Sequence, residues 1–129
     1  MCRVVEIEVE GKKIRVADIK QKYISNIIES AKQCSYIDRI VLFGSATSSR
    51  CRETLDIDLA IFGSVTKYKC LNSKSYRDFT GRLYAYDDHN QNYDLLYFKT
   101  NSFDRNKSRI VEDIARGEEL YVRETCNGT

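Results

Sequence analysis

Apolar and acidic residues alternate near the start of the chain. Between Val4 and Val9 (VVEIEV), Val5, Ile7 and Val9 fall on one side and Glu6 and Glu8 on the other. The alternation resumes at Ile14 and Val16, after Glu10-Gly11-Lys12-Lys13. Period-two patterning on both sides of a glycine predicts a β-hairpin that turns at Gly11. The period then lengthens. Ile19, Tyr23, Ile27 and Ala31 recur every four residues, and Ile24 and Ile28 widen the stripe, so an amphipathic helix is predicted to end near Cys34-Ser35. Asp18, just ahead of it, is the expected N-cap.

Two apolar runs follow. Ile37–Phe43 (IDRIVLF) is a predicted strand that stops at Gly44-Ser45, and Leu55–Phe62 (LDIDLAIF) is a second. Between them lies the polar stretch ATSSRCRET. Lys67 to Arg77 is basic and polar and overlaps a stripe at helical spacing made by Tyr76, Phe79, Leu83 and Tyr86. After the loop DDHNQN, Tyr93–Phe98 (YDLLYF) reads as a third strand. Phe103, Ile110, Val111 and Ile114 mark a last helix with Gly117 at its C′ position, and Leu120-Tyr121-Val122 a short closing strand. A hairpin, then αβ, βαβ and α, predicts an α/β (α+β) chain: a small mixed β-sheet with helices on one face.

Composition narrows the class. The 129 residues, 42% hydrophobic and 31% charged, supply one core and one domain, with residues 1–17 as a hairpin extension and 18–122 as the main body. The formal net charge of +2 gives little reason to expect a nucleic-acid coat or a membrane-surface protein. No apolar run approaches the roughly 20 residues of a spanning helix. The N-terminus lacks the apolar core of a signal peptide. Cys2, Cys34, Cys51, Cys70 and Cys126 are odd in number and widely spread, without zinc-site spacing. They read as reduced thiols of a cytoplasmic protein.

Asp56 and Asp58 carry the first chemical signal. At i and i+2 in a strand their side chains leave the same face, while Ile57, Leu59 and Ile61 leave the other. Two unit charges about 4 Å apart at an effective dielectric near 20 repel by roughly 4 kcal/mol. A divalent cation with oxygen ligands offsets that, or one acid keeps its proton through a raised pKa. The plainer alternative is the wet face of an edge strand. Gly44-Ser45 ends the preceding strand, where a glycine lets the backbone approach a phosphate and a serine offers a hydroxyl. Asp94 interrupts the apolar strand YDLLYF, which is costly unless the acid is paired, bound to metal, or hydrogen-bonded to backbone at the strand start.

Together these residues resemble a known family. FGSATSSRCRETLDIDL, in which Gly-Ser is followed by the ten residues Ala46 through Leu55 and then Asp56-x-Asp58, is similar to the signature of the DNA polymerase beta-like nucleotidyltransferases in their minimal form. The likeness covers about residues 20 to 122 and leaves the hairpin outside. It implies a polymerase beta palm-like fold, with Asp94 as the third carboxylate. Family members commonly carry an aromatic, an arginine and a second glycine after the serine; here Ala46, Ser48 and Ser49 stand there, and the basic contact falls to Arg50 or Arg52.

The resemblance implies Mg²⁺-dependent transfer of a nucleoside monophosphate from a nucleoside triphosphate such as ATP. Two ions would be held by Asp56, Asp58 and Asp94, all three counted as catalytic, with Asp94 also available as base. Gly44, Ser45, Arg50 and Arg52 would bind the phosphates. Larger relatives add a helical domain that builds an acceptor pocket, so an acceptor that brings its own shape is expected here. Stand-alone minimal members resemble antitoxins that add AMP to a HEPN-type ribonuclease toxin, which is the leading specific expectation, with a hetero-oligomer as its corollary. The alternatives are an inactive module that neutralises its partner by contact and a transferase acting on a small molecule such as an aminoglycoside. Lys67, Lys69, Lys74 and Arg77, with Tyr68 and Tyr76, offer a nucleic-acid surface, but a solvated loop and helix start is favoured. His89, in a polar loop, is expected to be solvated.

Overall fold

The computed structural model describes residues 2–100 and 109–123. Strands β1 (Val4–Val9) and β2 (Lys12–Ala17) form the expected hairpin, with Val9 opposite Lys12. Both turn residues are left-handed, Glu10 at φ 50° and Gly11 at φ 77°, as a two-residue type I′ turn requires. Glu6 faces Arg15 and Glu8 faces Lys13 across the ladder, so the polar face is charge-paired. Ile14 and Val16 are buried and join the main core.

The segment expected to begin a helix at Asp18 winds first as a 3₁₀ helix, Asp18–Tyr23, and only then as α1, Ile24–Lys32. Asp18 is not the N-cap: Ala17 occupies that place, and the Asp18 carboxylate accepts instead from the Arg3 backbone N–H. Three residues per turn put Lys20 and Tyr23 on one face, and both are buried.

The main sheet runs in the order β5-β4-β3-β6. Strand β3 is Arg39–Phe43, β4 is Ile57–Gly63, β5 is Tyr93–Lys99 and β6 is Glu118–Val122. β3 lies antiparallel to β4 and β6, whereas β4 and β5 are parallel, so the sheet is mixed. β4 starts two residues later than the apolar run suggests. The Leu55 carbonyl accepts from Lys20 Nζ and Gln91 Nε2, which takes it out of the ladder.

The β4–β5 crossover carries α2 (Lys67–Leu71) and α3 (Lys74–Ala85). Helix α2 was not expected from the basic, polar pattern. Thr66 and Ser73 cap the two helices by accepting from Lys69 N and Tyr76 N. On α3 the stripe Tyr76, Phe79 and Leu83 is buried, but Tyr86 lies beyond the helix and is exposed.

Alternation sorts the sheet residues into two layers. Ile40, Leu42, Ile57, Leu59, Ile61, Tyr93 and Tyr97 pack with α1, α3 and the hairpin. Val41, Phe43, Ala60 and Phe62 face the other way, where Leu96, Phe98 and Ile114 pack on them. Ile114 belongs to α4, Arg109–Ala115, so α4 adds a short second layer to the expected one-sided arrangement of helices. Gly117 follows that helix and donates its N–H to the Ile114 carbonyl. Phe103, expected in the same helix, lies outside the described residues, as does Cys126. Among the described residues no helix is long and apolar enough to cross a membrane.

Candidate functional site

The end of β3 and the starts of β4 and β5 lie at one end of the sheet. Phe43 pairs with Asp58 across the antiparallel ladder, and Asp58 pairs with Asp94 across the parallel one. Residues opposite one another in register point to the same face. Asp58 and Asp94 therefore stand side by side at the end of the layer formed by Ala60, Phe62, Leu96 and Phe98. Asp56 comes just before the first ladder residue, Ile57, rather than inside the strand. Asp56 and Asp94 are exposed and Asp58 is half-buried.

Asp58 is the most perturbed of the acids. Burial, then the charge of Asp94, then that of Asp56 push its pKa up from 3.8 to about 6. Among the described residues none of the three carboxylates has a hydrogen-bond or salt-bridge partner, although other acids are paired, such as Glu119 with Arg39 at 2.8 Å. Among the described residues no backbone N–H holds Asp94, which removes support from the reading of it as a strand-start acid tied to backbone. Three such carboxylates, with Asp58 exposed to the charge of the other two, suit a hard divalent cation. Among the described residues no three acidic, histidine or cysteine side chains already close on a single point.

A stability test follows from Asp58. The unfolded carboxyl loses its proton near the ordinary value of 3.8, and the folded one near 6. Between these limits the native state binds more protons, so stability falls as pH rises through the window and levels off above it. Denaturant unfolding of the metal-free protein should show that decline, and Asp58→Asn should remove it. A wild-type protein that follows the variant in parallel across the window would contradict the assignment.

The turn after β3 is a short 3₁₀ segment, Gly44–Thr47. Gly44 is left-handed at φ 75°, and its Cα lies against the Asp58 carboxylate. A Cβ built there would overlap Asp58 Oδ2 and come within 3.1 Å of its Cγ. Sequence reasoning places a glycine here for a phosphate; the structure shows that it also makes room for the acid. Ser45 lies beside the Cys51 thiol, and Thr47 Oγ1 donates to the Gly44 carbonyl at 2.8 Å.

The segment between that turn and β4 is less polar in its contacts than in its composition. Ala46 and Cys51 are buried, and Cys51 packs with Cys2 and Ala17 of the hairpin region. The Cys2 thiol donates to the Ser48 carbonyl at 3.2 Å. The hairpin thus props the Gly44–Cys51 segment from outside. Arg50 and Arg52 are exposed on it, and no contact joins them to the acids; Arg52 lines a separate cleft with Cys2, Ile19, Cys51, Glu53 and Thr54.

Lys67, Lys69, Lys74 and Arg77 belong to α2 and α3, after the far end of β4 and so away from the acids. Lys74 pairs with Asp78 at 2.9 Å, Arg77 donates to the Asn72 carbonyl, and Tyr76 is buried, which leaves Lys67, Tyr68 and Lys69 as the exposed remainder. His89 is exposed, left-handed at φ 64°, and stacked on Tyr84.

The residue that pattern reading passed over is Lys20. It is only 1% exposed and reaches the loops ahead of both acid-bearing strands. In the sequence it is one more lysine beside an apolar stripe.

A family model described as Polymerase beta, Nucleotidyltransferase matches residues 25–125, from the second residue of α1 through β6. No curated protein matches the chain at a significant level.

Proposed function

The chain belongs to the polymerase beta nucleotidyltransferase family, and from that premise we propose that it transfers AMP from ATP to a protein acceptor, as the antitoxin of a HEPN-type toxin pair. The observation that carries the transferase reading is the acid cluster: Asp58 and Asp94 in register, Asp56 close enough to act on Asp58, and no salt bridge to any of them among the described residues.

In this reading Asp56 and Asp58 hold Mg²⁺ with the triphosphate, and Asp94 completes the ligand set from the neighbouring strand. Bound there, the metal supplies neutralisation of phosphate charge and a lowered pKa for the attacking hydroxyl. The Gly44–Thr47 turn offers backbone N–H groups to phosphate oxygens, and Ser45 adds its hydroxyl. Arg50 and Arg52, exposed on a neighbouring segment, supply the positive charge that Ser48 lacks. Asp94, exposed at the start of the edge strand, takes the proton of the incoming hydroxyl as its oxygen bonds the α-phosphorus and the bond to the departing pyrophosphate breaks. Little covalent chemistry falls to the protein; holding the reactants in line and placing charge do most of it.

Exposure supports a protein acceptor. Two of the three acids stand at the surface, so the described residues do not enclose an acceptor's reacting group, and a partner that presents its own hydroxyl, such as a tyrosine on a folded toxin, suits such a site. The test is direct. Purified protein with ATP radiolabelled at the α-phosphate and Mg²⁺ should label a HEPN-type partner protein, and Asp56→Ala with Asp58→Ala should not. Tight binding of that partner without label, and without a rise in melting temperature on adding ATP and Mg²⁺, would make the chain a contact-only module. Label appearing on an aminoglycoside instead would make it a small-molecule transferase.

A further inference from the structure

Two loops decide where the acids stand: residues 51–56 ahead of β4 and 86–92 ahead of β5. Both converge on one buried ammonium. Lys20 Nζ donates to the Glu53 carbonyl at 3.1 Å, the Leu55 carbonyl at 2.8 Å and Gln91 Oε1 at 2.6 Å. That uses all the donors an ammonium has. Gln91, itself 4% exposed, donates through Nε2 to the Leu55 carbonyl at 3.1 Å and the Asn92 carbonyl at 2.7 Å. The Asn92 carbonyl also accepts from the Ile57 N–H at 3.1 Å. Leu55 directly precedes Asp56, and Asn92 lies two residues before Asp94.

A fold has little reason to bury a lysine for stability alone. Burial strips water from the charge, and the three contacts are to neutral oxygens rather than to a carboxylate. Apolar side chains in place of both Lys20 and Gln91 would fill the space without that cost. What an apolar residue would not do is fix two separate loops to a common point. The 3₁₀ winding of residues 18–23 places Lys20 inward for this purpose.

We infer that Lys20 and Gln91 are positioning residues that hold Asp56 and Asp94 at one level, so that the acids ligate a divalent cation together. The inference rests on the metal-binding reading of the acids given above. Lys20 hydrogen-bonds none of the three acids; it acts on the Leu55 carbonyl directly and on the Asn92 carbonyl through Gln91.

Mn²⁺ binding to the purified full chain, without nucleotide, tests this, with free Mn²⁺ read from its electron paramagnetic resonance signal. Lys20→Met and Gln91→Leu should each weaken binding about 10-fold or more, in the range found for residues that orient metal ligands. Far-UV circular dichroism at the same temperature verifies the fold. The sign separates the inference from its rival. If Lys20 contributes only a positive charge near Asp56, Lys20→Met binds Mn²⁺ more tightly and Gln91→Leu is unchanged; either result overturns the inference. Should Lys20→Met fail to fold, Gln91→Leu decides alone, because it removes the tie and leaves the charge. Asp58→Asn distinguishes the two levels. Wild type binding no better than Asp58→Asn defeats the metal reading itself. Wild type binding well, Asp58→Asn poorly and both positioning variants like wild type defeats this inference only.

Discussion

Asp58→Asn should lower nucleotidyl transfer by about 1000-fold or more while the metal-free protein keeps or gains thermal stability. The loss corresponds to roughly 4 kcal/mol of transition-state stabilisation, within the several kcal/mol that a bound metal contributes at a reacting phosphate. The gain has a separate origin. Asp58 is half-buried beside two other acids, and its ionised form is disfavoured in the folded chain. Asparagine keeps the shape and drops the charge. Transfer activity and melting temperature should therefore move in opposite senses at pH 7, a pattern that a merely structural aspartate does not give. Equal activity in wild type and variant, or a fall in melting temperature with the loss of activity, would show that Asp58 serves the fold instead of the reaction.

Gly44→Ala should damage both properties at once. The left-handed backbone at φ 75° costs a residue with a Cβ about 1–2 kcal/mol, and each kcal/mol lowers the melting temperature of a domain of this size by roughly 4 °C. The new methyl group also overlaps Asp58 Oδ2, so the carboxylate must swing away. A misplacement on the order of 1 Å is enough to cost about 100-fold in rate. The two parts separate in a double-mutant cycle. With Asp58→Ala as background there is no carboxylate to displace, and only the backbone cost remains. Gly44→Ala should then destabilise less than it does in wild type. Equal destabilisation in both backgrounds would mean that the overlap relaxes freely and that Gly44 is kept for its dihedral alone.

Local patterns in the sequence carried much of the frame. Alternation at Val4–Val9 and a glycine at position 11 led to the hairpin, because a half-exposed strand and a type I′ turn are both written locally. Gly44, Asp58 and Asp94 were legible for the same reason: a strand end, a paired-acid strand and an acid in an apolar run each stand out from their neighbours. What stayed hidden depends on residues far apart. Nothing near Leu55 reveals that its carbonyl is taken by Lys20 and Gln91, so the strand was expected two residues too early. Lys20 has the composition of a surface residue, and its burial exists only once the loops at 53–55 and 91 fold around it. Helix α2 escaped because its side chains are mostly exposed, with Cys70 alone buried, and a stripe of one residue has no period. The buried Ala46 and Cys51 sit in a segment of hydrophilic composition; Cys51 is covered by Cys2 and Ala17 of the hairpin region, and Ala46 joins the main core.

The pairing of Asp58 with Asp94 has a consequence for anyone who rebuilds the loop between α3 and β5. Side chains on a strand change face at every step, so the carboxylate is set by the parity of the ladder as much as by the residue itself. If a redesigned loop lets β5 advance by one position against β4, Tyr93 or Leu95 takes the place of Asp94 and the acid turns into the core side of the sheet. Insertions that bulge outward leave the phase intact, whereas those absorbed by sliding the strand do not. The length of that loop is therefore freer than its exit point, and chimaeras of this domain should be spliced upstream of Gln91.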